Sequence, residues 1–295
     1  MLSPEQVDAL CAASAERLAA LRGSLRQSGS ALVAFSGGVD SAFVLKIAVE
    51  ELGARALALT ALSASVAPEE AEEARVLAEG MGAAWISVRS GELANPAYAR
   101  NDTQRCYHCK TELYDLCEQQ RAARGLSVIL DGFNADDTRD HRPGHVAARE
   151  HGVRSPLAEH GLAKQEIRAW SQRLGLPTWD KPQMACLASR IPYGTAVTEP
   201  RLLQVGRAES ALRRLGLRSF RVRYHGEVAR LEVDAAEYAL AVDPTFRRAA
   251  NEALLREGFK FVALDLEPFR SGRMNEAAGL AKPARAVSHA LPVVR

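Results

Sequence analysis

Ala31-Leu32-Val33-Ala34-Phe35-Ser36-Gly37-Gly38-Val39-Asp40-Ser41 decides how this chain is read. Residues 31–35 have the apolar character of a buried strand, and Ala42-Phe43-Val44-Leu45-Lys46-Ile47 begins an amphipathic helix. Between them, Gly37 and Gly38 let the backbone turn tightly and approach a ligand closely. The hydroxyls of Ser36 and Ser41 fall where the free N–H groups of a helix start attract an anion, with Asp40 in the same turn. The stretch predicts strand, phosphate-binding turn and helix, a geometry suited to pyrophosphate. No Gly-x-x-x-x-Gly-Lys-Ser/Thr and no Gly-x-Gly-x-x-Gly occurs, which excludes the Walker loop and the dinucleotide fingerprint. A Gly-Gly turn that merely starts a helix is the plain alternative.

A chain of 295 residues with 47% hydrophobic content can bury a sizeable core, and its length suggests one large domain and a smaller one. The formal net charge of +2 is too small to imply a nucleic-acid partner by itself. No apolar stretch is long enough to cross a bilayer, and Met1-Leu2-Ser3-Pro4-Glu5 lacks the basic-then-apolar pattern of a signal peptide, so a cytoplasmic protein without a membrane partner is expected. Cys11, Cys106, Cys109, Cys117 and Cys186 are then reduced, and Cys106-x-x-Cys109 points to metal binding or catalysis before a disulfide.

Helical spacing of Val7, Leu10, Leu18 and Leu21 predicts a helix over 4–27, before the first strand. Short apolar runs at 56–60, 84–88 and 127–130 alternate with helical patterns over 68–78 and 111–123. That alternation predicts a parallel sheet, in which ligands bind beyond the carboxyl ends of the strands, at Ser36, Thr60 and 131–134. Near residue 195 the pattern changes to helix, two strands, helix and strand. The expected fold class is α/β, a parallel-sheet Rossmann-like domain over 1–195 followed by a smaller α+β domain over 196–274. Residues 275–295, rich in Ala and Pro, read as a flexible tail.

Arg105-Cys106-Tyr107-His108-Cys109-Lys110 supplies two thiols on a tight turn, flanked by cations expected to lower their pKa. The third thiol of comparable character is Cys186; Cys11 and Cys117 lie in helical patterns and read as buried and inert. Three thiolates can hold a four-iron cluster with one iron left open. A zinc site completed by His108 or His141 and a redox pair are rival readings. Gly132, Asn134, Asp136 and Asp137 follow a strand, where carboxylates suit a hard cation beside a triphosphate, or else cap a turn. Residues 197–230 hold eight arginines against three glutamates. Arg221 and Arg223 share one face of a predicted strand, where they can fork a phosphate or simply be solvated.

The loop at 36–41 resembles the PP-loop of ATP pyrophosphatases, which cleave ATP between the α and β phosphates. With Gly132 to Asp137, Arg142-Pro143-Gly144, the block 185–194 and the paired arginines, nearly the whole chain resembles the LarE family of ATP-dependent sulfur transferases. The resemblance implies adenylation of the carboxylates of pyridinium-3,5-biscarboxylic acid mononucleotide, release of pyrophosphate and conversion to thiocarboxylates, in nickel-pincer nucleotide biosynthesis. It implies ATP and Mg²⁺ as cofactors, with nucleotide contacts at Ser36, Gly37, Gly38, Asp40, Ser41, Thr60, Gly132 and Asp136. The same resemblance implies that Arg221 and Arg223 hold the substrate phosphate and that Glu209 and Glu232 match positions near a phosphate-associated metal, while Ser189 and Arg190 follow the cysteine closely enough to line the same pocket or to serve as ordinary loop residues.

In one form of the family the residue matching Cys186 gives up its own sulfur and becomes dehydroalanine. Members with three cysteines resemble cluster enzymes, in which Cys106, Cys109 and Cys186 bind a [4Fe-4S] centre carrying an exchangeable sulfide; this form is expected here. The family also implies a homo-oligomer, hexamers included, a sulfide source, and upstream and downstream enzymes of the cofactor pathway. Three rivals are a tRNA thiolation enzyme, an ammonia-using synthase of the NAD or GMP type, and an inactive nucleotide-sensing protein. Modest charge and no evident RNA-binding module oppose the first, and the second gives no role to three cysteines.

Overall fold

The computed structural model describes residues 2–66, 68–139, 143–182, 185–270, 273–277 and 279. His141 and Arg142, and most of the expected tail, lie outside them. Four strands, β1 (Ala31–Ala34), β2 (Ala56–Leu62), β3 (Ala84–Arg89) and β4 (Val128–Leu130), form a parallel sheet in the order β3-β2-β1-β4. The register pairs Leu32 with Leu57 on one side of β1 and with Ile129 on the other. Side-chain alternation sends Ala31, Val33, Ala56 and Ala58 to one face of the sheet and Leu32, Leu57 and Leu59 to the other. Both faces are covered, as an all-parallel sheet requires. The helices Pro4–Ser28, Val39–Leu52 and Lys164–Arg173 pack on the first face, while Arg105–Ala123 and Pro143–Glu150 cover the second.

Strand order makes β1 the switch point: the chain winds from β1 to β3 in one direction, then returns to place β4 on the other side of β1. Loops leaving the carboxyl ends of β1 and β4 therefore diverge around one crevice. They also touch, because a Cβ at Gly132 would lie 2.9 Å from the Ser41 amide nitrogen. Glycine is required there by space.

A second sheet has the order β5-β6-β7, from β5 (Phe220–His225), β6 (Val228–Val233) and β7 (Phe261–Leu264). β5 and β6 are antiparallel, and β6 and β7 are parallel. Its core joins Phe220, Val222, Leu231 and Val233 to Leu202, Val205 and Leu212 of the helix Glu199–Arg214. Leu187, Ala188 and Ile191 pack in this same core, although they precede residue 195. The apolar side chains of that segment thus belong with the second sheet.

Two further features differ from the sequence reading. The helix expected over 111–123 begins at Arg105, so the Cys106/Cys109 pair occupies a helical turn. Residues 275–277, assigned to a tail, end the short helix Arg273–Ala277, where Glu276 accepts from Arg270 and Arg273 pairs with Asp265. No helix among the described residues is long and apolar enough to cross a membrane.

The contact at Gly132 yields a test. Gly132→Ala should lower stability by about 1–3 kcal/mol, read as a shifted denaturant midpoint, because backbone must move to accept the methyl group.

Candidate active site

The turn after β1 is held by its own hydroxyls. Ser41 Oγ donates to the Gly38 carbonyl at 3.2 Å and stands 3.2 Å from Ser36 Oγ. Gly37 adopts φ +70° and lies against Ala74, where a side chain would be both strained and crowded. Gly38 starts the helix Val39–Leu52 without a side-chain cap, which leaves the start of a 14-residue helix with N–H groups that no capping side chain satisfies. Thr60 is buried within β2, two residues before its end; its hydroxyl donates to the Phe35 carbonyl at 2.9 Å and accepts from Trp85 Nε1 at 2.9 Å.

Asp40, in the first turn of that helix, accepts from Lys164 Nζ at 2.5 Å. Burial pushes its carboxyl up, and Lys164 opposes the shift. Asp136 accepts from the Lys164 backbone N–H at 2.9 Å, and Asp137 accepts from the Asn134 N–H at 3.1 Å. The acidic turn after β4 thus caps itself and holds the start of another helix, with Asp137 close enough to Asp40 to raise it. Nothing in the sequence marked Lys164.

Arg190 and Glu209 are each 1% exposed and form a two-point pair, with Nε and Nη2 both 2.8 Å from the carboxylate oxygens. Burial opposes ionisation of Glu209, but Arg190 and the Val222 N–H hold its carboxyl below the ordinary 4.5. Arg223 donates to Glu232 at 2.7 and 2.9 Å and to the Ser189 carbonyl at 2.7 Å. Glu209 and Glu232, expected near a phosphate-associated metal, are therefore each neutralised by an arginine. Arg221 lies over the Phe269 ring at 4.6 Å and donates to the Phe220 carbonyl. Desolvation, then repulsion from Arg190, pulls it down to about 10.

Cys186 joins these two regions. Upstream of it, Lys181 Nζ reaches the Gly37 carbonyl at 3.4 Å and Glu73 at 3.0 Å. Downstream, Arg190 Nη1 donates to the carbonyls of Ala185 and Cys186 at 2.5 and 3.0 Å. The Leu187 N–H donates to the Ser65 carbonyl in the loop after β2. One segment therefore runs from the phosphate turn to the arginine cluster with Cys186 between them.

Cys106 is exposed and Cys109 half-buried, and each lies within electrostatic range of Cys186. Solvent reaches Cys186 although protein surrounds it closely, and desolvation raises its thiol. Burial, then Glu92, pushes Cys109 well above the ordinary thiol range. This reverses the expected lowering by flanking cations. Arg105 turns its guanidinium to Asn101 Oδ1 and the Ala188 carbonyl, at 2.6 and 2.8 Å, and Glu92 brings a carboxylate to Cys109. Glu92, 3% exposed, accepts from Ser65 Oγ at 2.5 Å and Tyr98 Oη at 3.2 Å; no motif or spacing around it marks it. Among the described residues no three His, Cys, Asp or Glu side chains lie close enough to hold one metal ion. Cys11 and Cys117 are buried, as expected.

Against known proteins, the chain is 38% identical over 263 residues, 89% of its length, to a pyridinium-3,5-bisthiocarboxylic acid mononucleotide synthase of Lactiplantibacillus plantarum, 95% of which is covered. The chain belongs to the LarE family. Within that family setting, it is 45% identical to an uncharacterized protein of Synechocystis sp. over 88% of this chain and 97% of the relative. An uncharacterized protein of Methanocaldococcus jannaschii is 24% identical over 81% of this chain and 90% of its own length. No protein-family model matches.

Two predictions follow from this arrangement. In the native protein, iodoacetamide should modify the exposed Cys106 first, Cys186 and Cys109, whose thiols are pushed up, more slowly, and Cys11 and Cys117 only after unfolding, as read by peptide mass spectrometry. Glu209→Gln should destabilise the fold by about 3–5 kcal/mol at neutral pH, since it leaves Arg190 buried without its counter-charge. Because folding lowers the Glu209 pKa, its contribution is complete above 4.5 and is lost as pH falls through the lower folded value; the difference from the variant should close on acidification.

Proposed function

We propose that this LarE-family chain is an ATP-dependent sulfur-inserting enzyme of nickel-pincer nucleotide assembly. Its substrate is pyridinium-3,5-biscarboxylic acid mononucleotide, and its product the bisthiocarboxylic acid named for the Lactiplantibacillus relative. The observation that carries this reading is the single segment that places Cys186 between the Gly37 turn and the Arg190, Arg221 and Arg223 cluster. A substrate with a phosphate at one end and a carboxylate at the other fits that order.

In the first step a substrate carboxylate oxygen attacks the α-phosphorus of ATP, and pyrophosphate leaves. The helix start at Gly38 and the hydroxyls of Ser36 and Ser41 receive the departing charge, and Asp40 with Asp136 would hold Mg²⁺ against it. In the second step sulfur takes the acyl carbon and AMP leaves; both steps repeat on the other carboxylate. Arg221 holds the substrate phosphate: desolvation, then repulsion from Arg190, disfavours its charge in the empty site, and an anion bound there offsets both.

The donor chemistry fits a [4Fe-4S] cluster better than a single ion. Thiolates are the ordinary ligands of such clusters, and on a cube they bind separate irons, so they stand further apart than the ligands of one metal. Cys106, Cys109 and Cys186 would hold it, and when bound it supplies an exchangeable sulfide. Loss of the Cys186 sulfur to the product is the second reading, favoured by that thiol's access to solvent. The pathway requires a sulfide source and enzymes that make the substrate and use the product, in a homo-oligomeric, cytoplasmic setting.

Protein purified without oxygen should carry about four iron and four sulfide per chain, lost in Cys106→Ala, and should form AMP and pyrophosphate from ATP when given the bis-carboxylic substrate. If iron is absent after anaerobic reconstitution and Cys186 loses the mass of one hydrogen sulfide on turnover, the sacrificial reading replaces the cluster.

A further inference from the structure

Lys164 begins the helix Lys164–Arg173, away in sequence from both loops of the crevice, yet it is tied to each. Its ammonium donates to Asp40 Oδ2 at 2.5 Å, and its backbone N–H donates to Asp136 Oδ2 at 2.9 Å. The other Asp40 oxygen is buried with no hydrogen-bond partner. Asp40 lies in the first turn of the helix Val39–Leu52, whose uncapped N–H groups form the natural seat of a phosphate. A carboxylate beside that seat repels a triphosphate unless a cation stands between them, and ligand-free protein needs a cation there too, because Asp40 is largely desolvated.

Resting on the nucleotide reading above, we propose that Lys164 is an exchangeable counter-ion. It neutralises Asp40 in the empty site, gives Asp40 up to the divalent cation that enters with ATP, and moves its ammonium onto the β and γ phosphates. The geometry suits the exchange. The backbone anchor at Asp136 keeps the base of Lys164 in place, while its side chain is 30% exposed and has a flexible four-carbon stem free to swing. The unpartnered Asp40 oxygen gives the incoming cation a ligand that Lys164 does not already occupy. Mg²⁺ takes only one or two carboxylates and fills its remaining positions with phosphate oxygens and water, so Asp40 and Asp136 suffice.

The exchange predicts effects of opposite sign. In the full chain, Lys164→Met should bind Mn²⁺ alone more tightly than wild type, read as faster loss of the free-ion spin-resonance signal on titration. The same variant should bind Mg²⁺ with α,β-methylene-ATP more weakly by calorimetry, each change being at least about fivefold. Lys164→Arg, which keeps the charge, should restore wild-type Mn²⁺ binding. Weakening of both ligands together, or no change in either, would show Lys164 to be a structural partner only and overturn the exchange. Failure of wild-type protein to bind the analogue would instead remove the nucleotide reading, and the exchange with it.

Discussion

Burial of two guanidinium groups governs where the rest of the site can lie. Arg190 and Arg223 are 1% and 6% exposed, and a lone charge so placed costs several kcal/mol even after relaxation. Each therefore needs a carboxylate of its own, and Glu209 and Glu232 supply them from the helix Glu199–Arg214 and from β6. Such pairs add little net stability but tolerate little displacement, because breaking one leaves the other charge stranded. The remaining donors of Arg190 hold the carbonyls of Ala185 and Cys186, and Arg223 holds that of Ser189. Charge neutralisation beside the second sheet thus fixes the backbone on which Cys186 sits.

The parallel sheet was legible because its signal is local. Each strand is a short apolar run, and a sheet covered on both faces demands such runs. Placement of the loops at 36–41 and 131–134 followed from the parallel sheet, whose ligands bind beyond the carboxyl ends of its strands, and the observed strand order brings them to one crevice at β1. Less visible was the start of the cysteine helix. Arg105 to Lys110 lacks apolar periodicity, and the turn is anchored by contacts of Arg105 with Asn101 and Ala188, the latter far along the chain. The alternation that put Arg221 and Arg223 on one face was readable from a strand, whereas their surroundings depend on which helix and hairpin pack beside them. Lys164 and Glu92 left no local trace, because each matters only through partners on other elements.

The thiols weigh on the choice between the two sulfur-delivery readings. A thiol attacks as its thiolate, so desolvation that raises Cys186 and Cys109 makes both poor nucleophiles in the free chain. Glu92 adds to this at Cys109, a carboxylate placed where a nucleophilic site would call for a cation. A sacrificed Cys186 would have to ionise against that environment with Arg105 and Arg190 as its main electrostatic support, and both guanidinium groups are already bonded to carbonyl oxygens or to Glu209. Metal coordination changes the balance, because the metal's own charge displaces the thiol protons and offsets the loss of solvent. Thiols held protonated until a metal arrives are suited to ligation and protected from premature reaction. That asymmetry supports the proposed cluster-based delivery over sacrifice of Cys186, and it rests on Glu92 and burial rather than on the Cys-x-x-Cys spacing alone.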